Sequence, residues 1–209
     1  MKTLFLIRHA KSSWDDTALP DKDRPLNDRG KRDAPKMGKR LAKRDVKPDL
    51  ILSSPARRTL TTAEIIAKKL DYKRKDIVVD DRLYAGAVRD LLNVIHKLGD
   101  KLERVMLFGH NPELTELAHR LSSEITHMPT CAVAQFTFAT KSWSNIGKAK
   151  LASVELDYPR NHRAKHRGSD KGARKKWRGS FNQQRTLRSP VRTSPSRRRQ
   201  VAASLRHLP

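Results

Sequence analysis

Short apolar runs alternate along this chain with longer stretches in which apolar residues return every three or four positions, and the alternation ends near residue 158. Leu4, Phe5, Leu6 and Ile7 form an uninterrupted run of β-formers, the pattern of a strand buried on both faces. A polar stretch over 11–25, without helical periodicity, follows it. Asn27 can cap a helix over 29–44, on which Ala34, Met37 and Leu41 share one face while Lys36, Lys39, Arg40 and Lys43 face water. After Pro48, residues 49–53 read as a second strand. Ser53, Ser54 and Pro55 break that strand and start a helix with Ile65, Ile66 and Leu70 as its buried face and Ala63 and Ala67 allowing close approach.

The alternation continues with a short strand over 77–79 and a helix over 88–98, apolar at Val88, Leu91, Leu92 and Ile95. A strand over 104–108 leads into a helix over 113–121, with Leu114, Leu117, Ala118 and Leu121 facing inward, and strands over 133–139 and 150–157 close the series. Strands alternating with helices predict an α/β fold, a three-layer α/β/α domain with a largely parallel sheet.

Residues 159–209 break this pattern. They hold sixteen of the 46 lysines and arginines and one acid, Asp170, and are rich in Ser, Gln and Pro. Such a segment buries too little apolar surface to offset its conformational entropy, so the expected organisation is a domain over 1–158 and a disordered basic tail over 159–209. The tail's charge implies salt-sensitive contact with polyanions or nucleic acid, although it offers only Trp177 and Phe181 for stacking. An accessory extension without a binding role is the other reading. Ser189 and Ser194, in a short near-repeat, are candidate phosphorylation sites.

The single cysteine, Cys131, cannot form an internal disulfide and reads as a small buried hydrophobe. Arg8 interrupts the N-terminal apolar run too early for a signal-peptide core, and no run is long enough to span a membrane. A cytoplasmic protein without membrane contact is expected.

Candidate chemistry gathers at strand ends. Arg8 and His9 follow the first apolar run directly, so they belong at its C-terminal rim, where open α/β sheets bind ligands. Arg57 and Arg58 fall in the first turn of a helix, where the dipole disfavours cations and attracts anions, and His110 follows the apolar run over 104–108. Arginine forks suit phosphoryl oxygens, a neutral imidazole can attack phosphorus, and a second, protonated histidine can donate to the equatorial oxygens. Neither histidine has carboxylates or thiolates nearby at ligand spacing, and there is no Gly-rich Walker loop, so neither a metal nor a cofactor is expected. His96, His119 and His127 read as structural.

LIRHA (6–10), RPLNDRG (24–30), SSPARRTLTTA (53–63) and FGHNP (108–112), in this order and spacing, resemble the motifs of the histidine phosphatase superfamily, also called phosphoglycerate-mutase-like, and within it the SixA branch of small bacterial phosphohistidine phosphatases. The resemblance implies that His9 is the phosphorylated nucleophile, that Arg8 and Arg58 bind the phosphoryl group, and that His110 is the second pocket histidine. Arg24 is a further phosphate-binding candidate, with organisation of the loop as its other role.

In DDRLYAG (80–86), Tyr84 and Ala85 stand where many members carry a glutamate that protonates the leaving oxygen. An alcohol leaving without a general acid loses about 10²- to 10⁴-fold in rate, whereas imidazole is a better leaving group. The implied activity is therefore a metal-independent phosphatase acting on a phosphohistidine-bearing protein. A small-molecule phosphomonoesterase on the same scaffold is the alternative, for which Asp15, Asp16 or Asp81 could supply the proton.

Overall fold

The structure is a computed structural model that describes residues 1–161. Most of the expected basic tail, residues 162–209, and with it the expected polyanion contact and both candidate phosphorylation sites, lies outside the described residues. The elements in chain order are β1 (Lys2–Arg8), α1 (Asp28–Lys43), β2 (Leu50–Ser53), α2 (Arg57–Lys69), β3 (Val78–Val79), α3 (Val88–His96), β4 (Arg104–Gly109), α4 (Glu113–Leu121), β5 (Val133–Phe138) and β6 (Leu151–Asp157).

The strands form one sheet in the order β3-β2-β4-β1-β5-β6. The β3, β2, β4 and β1 pairings are parallel, and β5 lies antiparallel to both β1 and β6. Successive side chains of a strand point to opposite faces, and the apolar runs supply both. Leu4, Leu6, Leu52 and Leu107 pack with Leu91, Ile95, Leu114 and Leu117 of α3 and α4. Phe5, Ile7, Met106 and Phe108 pack with Met37, Leu41, Ala63 and Ile66 of α1 and α2. Helices therefore cover both faces of the sheet, giving the three layers.

Two local features differ from the sequence reading. On α2 the fully buried residues are Thr59, Thr62, Ala63, Ile66 and Ala67 together with Arg58, whereas Ile65 and Leu70 are only partly covered at the helix flank. The buried face is rotated toward the two threonines because their hydroxyls are hydrogen-bonded inside it. At the other end, the main chain past the expected domain limit at 158 is held by α1: Lys36 Nζ donates to the Pro159 carbonyl at 2.7 Å and Arg40 Nη1 to the Tyr158 carbonyl at 3.0 Å.

The stretch between β1 and α1 carries little regular structure, yet it is tied down. Ser12 bridges to Leu26, the Ser13 amide donates to the Pro25 carbonyl at 2.9 Å, and the Asn27 amide donates to the Lys11 carbonyl at 3.0 Å. Asn27 then caps α1 by accepting the Gly30 amide at 2.9 Å. Gly30 is needed at this contact, since a Cβ there would stand 2.2 Å from the Lys11 carbonyl oxygen.

Candidate active site

The parallel register of β1 against β4 decides where the two histidines meet. Arg8 stands opposite Gly109, and the His9 amide donates to the Gly109 carbonyl at 3.1 Å, so His9 and His110 leave the sheet side by side at its C-terminal rim. Their ring centroids are 5.2 Å apart and the rings are tilted by 52°. On the other side of β4, Ser53 pairs with Phe108 and the Ser54 amide donates to the Phe108 carbonyl. That pairing puts Ser54 Oγ 2.8 Å from His110 Nε2. Arg58, in the first turn of α2, reaches the same rim, its Nη2 3.3 Å from His110 Nδ1. Arg57, one residue earlier, is exposed and lies outside the cluster.

Hydrogen bonds fix where the protons are. His9 Nδ1 lies 2.7 Å from the Ala10 carbonyl oxygen, which can only accept; Nδ1 therefore carries the proton and Nε2 the lone pair. Burial above all pushes His9 down to about 3; the bond to Ala10 opposes the shift, and electrostatic interaction with the neighbouring His110, Arg58 and Arg8 adds to it. At neutral pH, His9 is an uncharged imidazole with one defined basic nitrogen.

His110 departs from the expectation of a protonated ring. Its Nδ1 faces the Arg58 guanidinium, which can only donate, so Nδ1 accepts and Nε2–H is directed to Ser54 Oγ and to Thr59 Oγ1 at 3.2 Å. Burial first, then the charges of Arg58 and Arg8, push it down to about 4 against the opposing pull of Asp21, and the ring is neutral.

The arginines are held differently. Arg8 donates from Nη1 to the Met128 carbonyl at 2.9 Å, while its buried Nε has no partner among the described residues. Arg58, 6% exposed, is clamped through its backbone as well: its carbonyl accepts the Thr62 hydroxyl at 2.7 Å, and the same hydroxyl oxygen accepts the Ala10 amide at 3.0 Å. Thr62 thus links the helix that carries Arg58 to the turn that carries His9.

Asp21, which no sequence signal singled out, closes the group from the mouth. Its carbonyl accepts from Arg58 Nη1, and its carboxylate accepts from Arg58 Nη2 at 2.8 Å, Arg24 Nη1 at 2.9 Å and the Tyr84 hydroxyl at 3.0 Å. Partial burial works against its ionisation, but the hydrogen bonds from Arg58 and Arg24 outweigh it and hold the carboxyl down at about 2. Arg24 belongs to the loop: it also donates to the Ser13 carbonyl and Ser12 Oγ and stacks on the Trp14 ring. The Tyr84 ring stands edge-on to His110 at 5.5 Å. Asp15 and Asp16 are exposed, and Asp81, 87% exposed, pairs with Lys22.

Among the described residues no group of three or more His, Cys, Asp or Glu side chains is placed to hold a metal ion, and no helix is long and apolar enough to cross a membrane. Burial pushes the Cys131 thiol up to about 12, so it behaves as an inert small side chain. His96 and His119 are bonded to the Ile146 and Ile125 carbonyls away from the pocket.

The model of the histidine phosphatase superfamily, branch 1, matches residues 4–85. A protein of Arabidopsis thaliana described as uncharacterised and chloroplastic is 35% identical over 150 residues, which cover 68% of this chain and 69% of its own. The chain belongs to the histidine phosphatase superfamily. It is a phosphatase-type hydrolase and falls in the SixA-type branch. The Agrobacterium tumefaciens protein assigned as the phosphohistidine phosphatase SixA superposes with a TM-score of 0.62 at 26% identity, over 74% of this chain and 97% of that one. A 2,3-bisphosphoglycerate-dependent phosphoglycerate mutase of Mycobacterium bovis is 34% identical over 162 residues, 60% of its own length.

Proposed function

We propose that this phosphatase removes the phosphoryl group from a protein phosphohistidine through a phosphohistidine intermediate on His9, without a metal. The observation that carries the reading is the hydrogen bond from His9 Nδ1 to the Ala10 carbonyl inside a pocket with two arginines. It presents Nε2 as the unprotonated nucleophile of a neutral ring at neutral pH.

In the first step Nε2 attacks phosphorus while the Arg8 and Arg58 guanidiniums hold the phosphoryl oxygens; the unpartnered Nε of Arg8 is a donor suited to one of them. The P–N bond to the substrate ring breaks and its electron pair stays on the departing nitrogen. His9, phosphorylated at Nε2 and still protonated at Nδ1, is then an imidazolium, itself a good leaving group. Water attacks phosphorus, the electron pair returns to Nε2, and inorganic phosphate departs. As the phosphoryl dianion arrives and draws the Arg58 guanidinium onto its oxygens, His110, anchored through Nε2–H by Ser54 and Thr59, takes up a proton from solvent at Nδ1, and that N–H then hydrogen-bonds an equatorial oxygen.

The substrate class follows from what surrounds the leaving group. Tyr84 and Ala85 occupy the position of the usual glutamate, and Asp21, the carboxyl bonded to Arg58 and Tyr84, is ionised and has no proton to give. An alkoxide leaving group would depart unassisted; an imidazole that carries a proton on its other ring nitrogen leaves neutral without a general acid.

The test is phosphate release from a phosphohistidine-bearing protein, with and without a chelator, by the wild type and His9→Ala. Release that survives the chelator and vanishes in the variant, with an acid-labile phosphoenzyme trapped only on the wild type, is expected. Equal kcat/KM on alkyl phosphate esters and phosphohistidine would favour a small-molecule phosphomonoesterase instead. Undiminished release by His9→Ala would remove His9 from the chemistry.

A further inference from the structure

The chemistry proposed for His9 has a counterpart on the substrate side. A phosphohistidine leaves as a neutral imidazole only if its other ring nitrogen carries a proton, as Nδ1 of His9 does against the Ala10 carbonyl. An enzyme that holds this proton on the departing ring therefore favours P–N over P–O cleavage. The group required at that place is an ionised acceptor, the opposite of the general acid that an alcohol needs.

We propose that Asp21 is that acceptor and a specificity-determining residue, its carboxylate receiving the N–H of the substrate imidazole. Position supports this. His9 is 9% exposed at the floor of the pocket, while the Asp21 side chain is 49% exposed at its mouth, and Arg58 bridges the two levels by facing both His110 and Asp21. Displacement at phosphorus runs roughly in line, so a group driven out by an attack from the floor leaves toward the mouth. The carboxylate there is fixed by donors from three separate segments, Arg58 on α2, Arg24 in the loop and the Tyr84 hydroxyl after β3. Each donates to it and none competes with it as an acceptor, so Asp21 keeps its charge and retains lone pairs for a further N–H.

The electron and proton count closes without an added reactant. The His9 Nε2–P bond forms, the substrate P–N bond breaks with its pair retained by the ring, and the proton on the far nitrogen stays on the ring, now neutral imidazole, hydrogen-bonded to Asp21 until it diffuses away. For an alcohol phosphate the same carboxylate offers nothing to the leaving oxygen and repels the dianion.

This inference rests on the phosphohistidine reading, and the experiment separates their failures. Wild type, Asp21→Asn and Asp21→Glu are compared on N-phosphoimidazole and on p-nitrophenyl phosphate, whose leaving group needs neither acid nor acceptor. A charge-assisted hydrogen bond lost from the leaving ring should lower kcat/KM for P–N cleavage about 10- to 100-fold more than for P–O cleavage in Asp21→Asn. Asp21→Glu should recover part of the ratio. In Asp21→Asn the P–N rate should also fall off at lower pH than in the wild type, because the ring then loses its proton more readily; of the charged and titratable groups around position 21, Arg58, Arg24, Tyr84 and His110, the last two also feel its charge, and the aryl-ester rate over the same pH range reports their response separately. Equal losses on both substrates would make Asp21 a mere support for Arg58, and equal gains would make it an occupant that phosphate must displace; either overturns the inference alone. A wild type that cleaves the aryl ester but not the phosphoimidazole or a phosphohistidine protein overturns the phosphohistidine reading, and this inference with it.

Discussion

Thr62→Val tests whether the turn at Ala10 is what holds the nucleophile in place. The substitution keeps the shape of a side chain that is 0% exposed and removes only its hydroxyl. That hydroxyl makes two contacts, accepting the Ala10 amide at 3.0 Å and donating to the Arg58 carbonyl at 2.7 Å. The Arg58 carbonyl, within α2, keeps its helical partner, so its loss is small. The Ala10 amide, on a residue also 0% exposed, has no substitute, and a buried donor left without an acceptor costs about 1–3 kcal/mol. For a chain of this size the melting temperature should fall by about 2–4 °C for each kcal/mol.

The kinetic effect follows from the adjacent bond. The Ala10 carbonyl holds His9 Nδ1 at 2.7 Å, and an Ala10 free to shift no longer fixes the ring. With p-nitrophenyl phosphate, kcat should drop by about ten-fold or more while KM changes little, because a small misplacement of a reacting group is felt in the chemical step. Thr62→Ser, which keeps the hydroxyl and loses a methyl, should retain most of kcat at a cost of about 1 kcal/mol. Guanidinium denaturation and steady-state kinetics on the three proteins decide the matter. A Thr62→Val protein with wild-type kcat, or one more stable than Thr62→Ser, would refute the argument.

Two other outcomes follow from the same geometry. His9 and His110 are held down to about 3 and about 4, whereas in the unfolded chain they titrate near 6.5, so the unfolded state binds more protons between those values. Stability should therefore fall as pH drops from 6.5 toward 4, by at most about 1.4 kcal/mol per pH unit for each histidine, and a His9→Asn, His110→Asn double variant should show a flatter slope in denaturation series at pH 7 and pH 5. Gly30→Ala should destabilise by about 1–3 kcal/mol, although alanine is ordinarily the better helix former, because the new Cβ would meet the Lys11 carbonyl at 2.2 Å with backbone on both sides; a raised melting temperature would count against it.

How much of this was legible in the sequence varies with the kind of interaction. Among the described residues, apolar runs and 3.6-residue spacing predict all four α-helices and all six strands, with shifts of a residue or two at most ends, since burial on a sheet face and on a helix stripe leaves direct traces in the chain. Arg8, His9 and His110 stood out because each follows an apolar run at once. That they meet depends on a register, Arg8 opposite Gly109, which periodicity does not encode; the order and spacing of the four motifs pointed to it instead. Which nitrogen of His110 carries the proton in the empty pocket depends on which one faces Arg58 and which faces Ser54, contacts that no periodicity encodes.

Asp21 was invisible for a related reason. It is one of several charges in a polar stretch, its main partner lies 37 residues away, and the neighbours at Asp15, Asp16 and Asp81 offered the same chemistry on paper. The nearest clue is its spacing three residues before Arg24, a pairing that becomes meaningful only once Arg24 is seen locked to Ser12 and Ser13. Lys2 illustrates the same limit: a charged residue beside the first apolar run turns out to be buried, donating to the Asp100 and Leu102 carbonyls beside the Trp143 ring.

The two halves of the pocket differ in how they open. His9 and His110 leave β1 and β4, neighbouring strands with hydrogen-bonded partners on both sides, so the His9 amide, bonded to the Gly109 carbonyl, should exchange with solvent only when the whole domain opens. Asp21 sits on a half-exposed turn between the ends of the loop that main-chain bonds tie down, and it is held there by side-chain bonds from Arg58, Arg24 and Tyr84, so this turn can open at a fraction of the cost. As temperature rises, discrimination between nitrogen-linked and oxygen-linked phosphate should therefore erode well before the capacity to turn over phosphate at all.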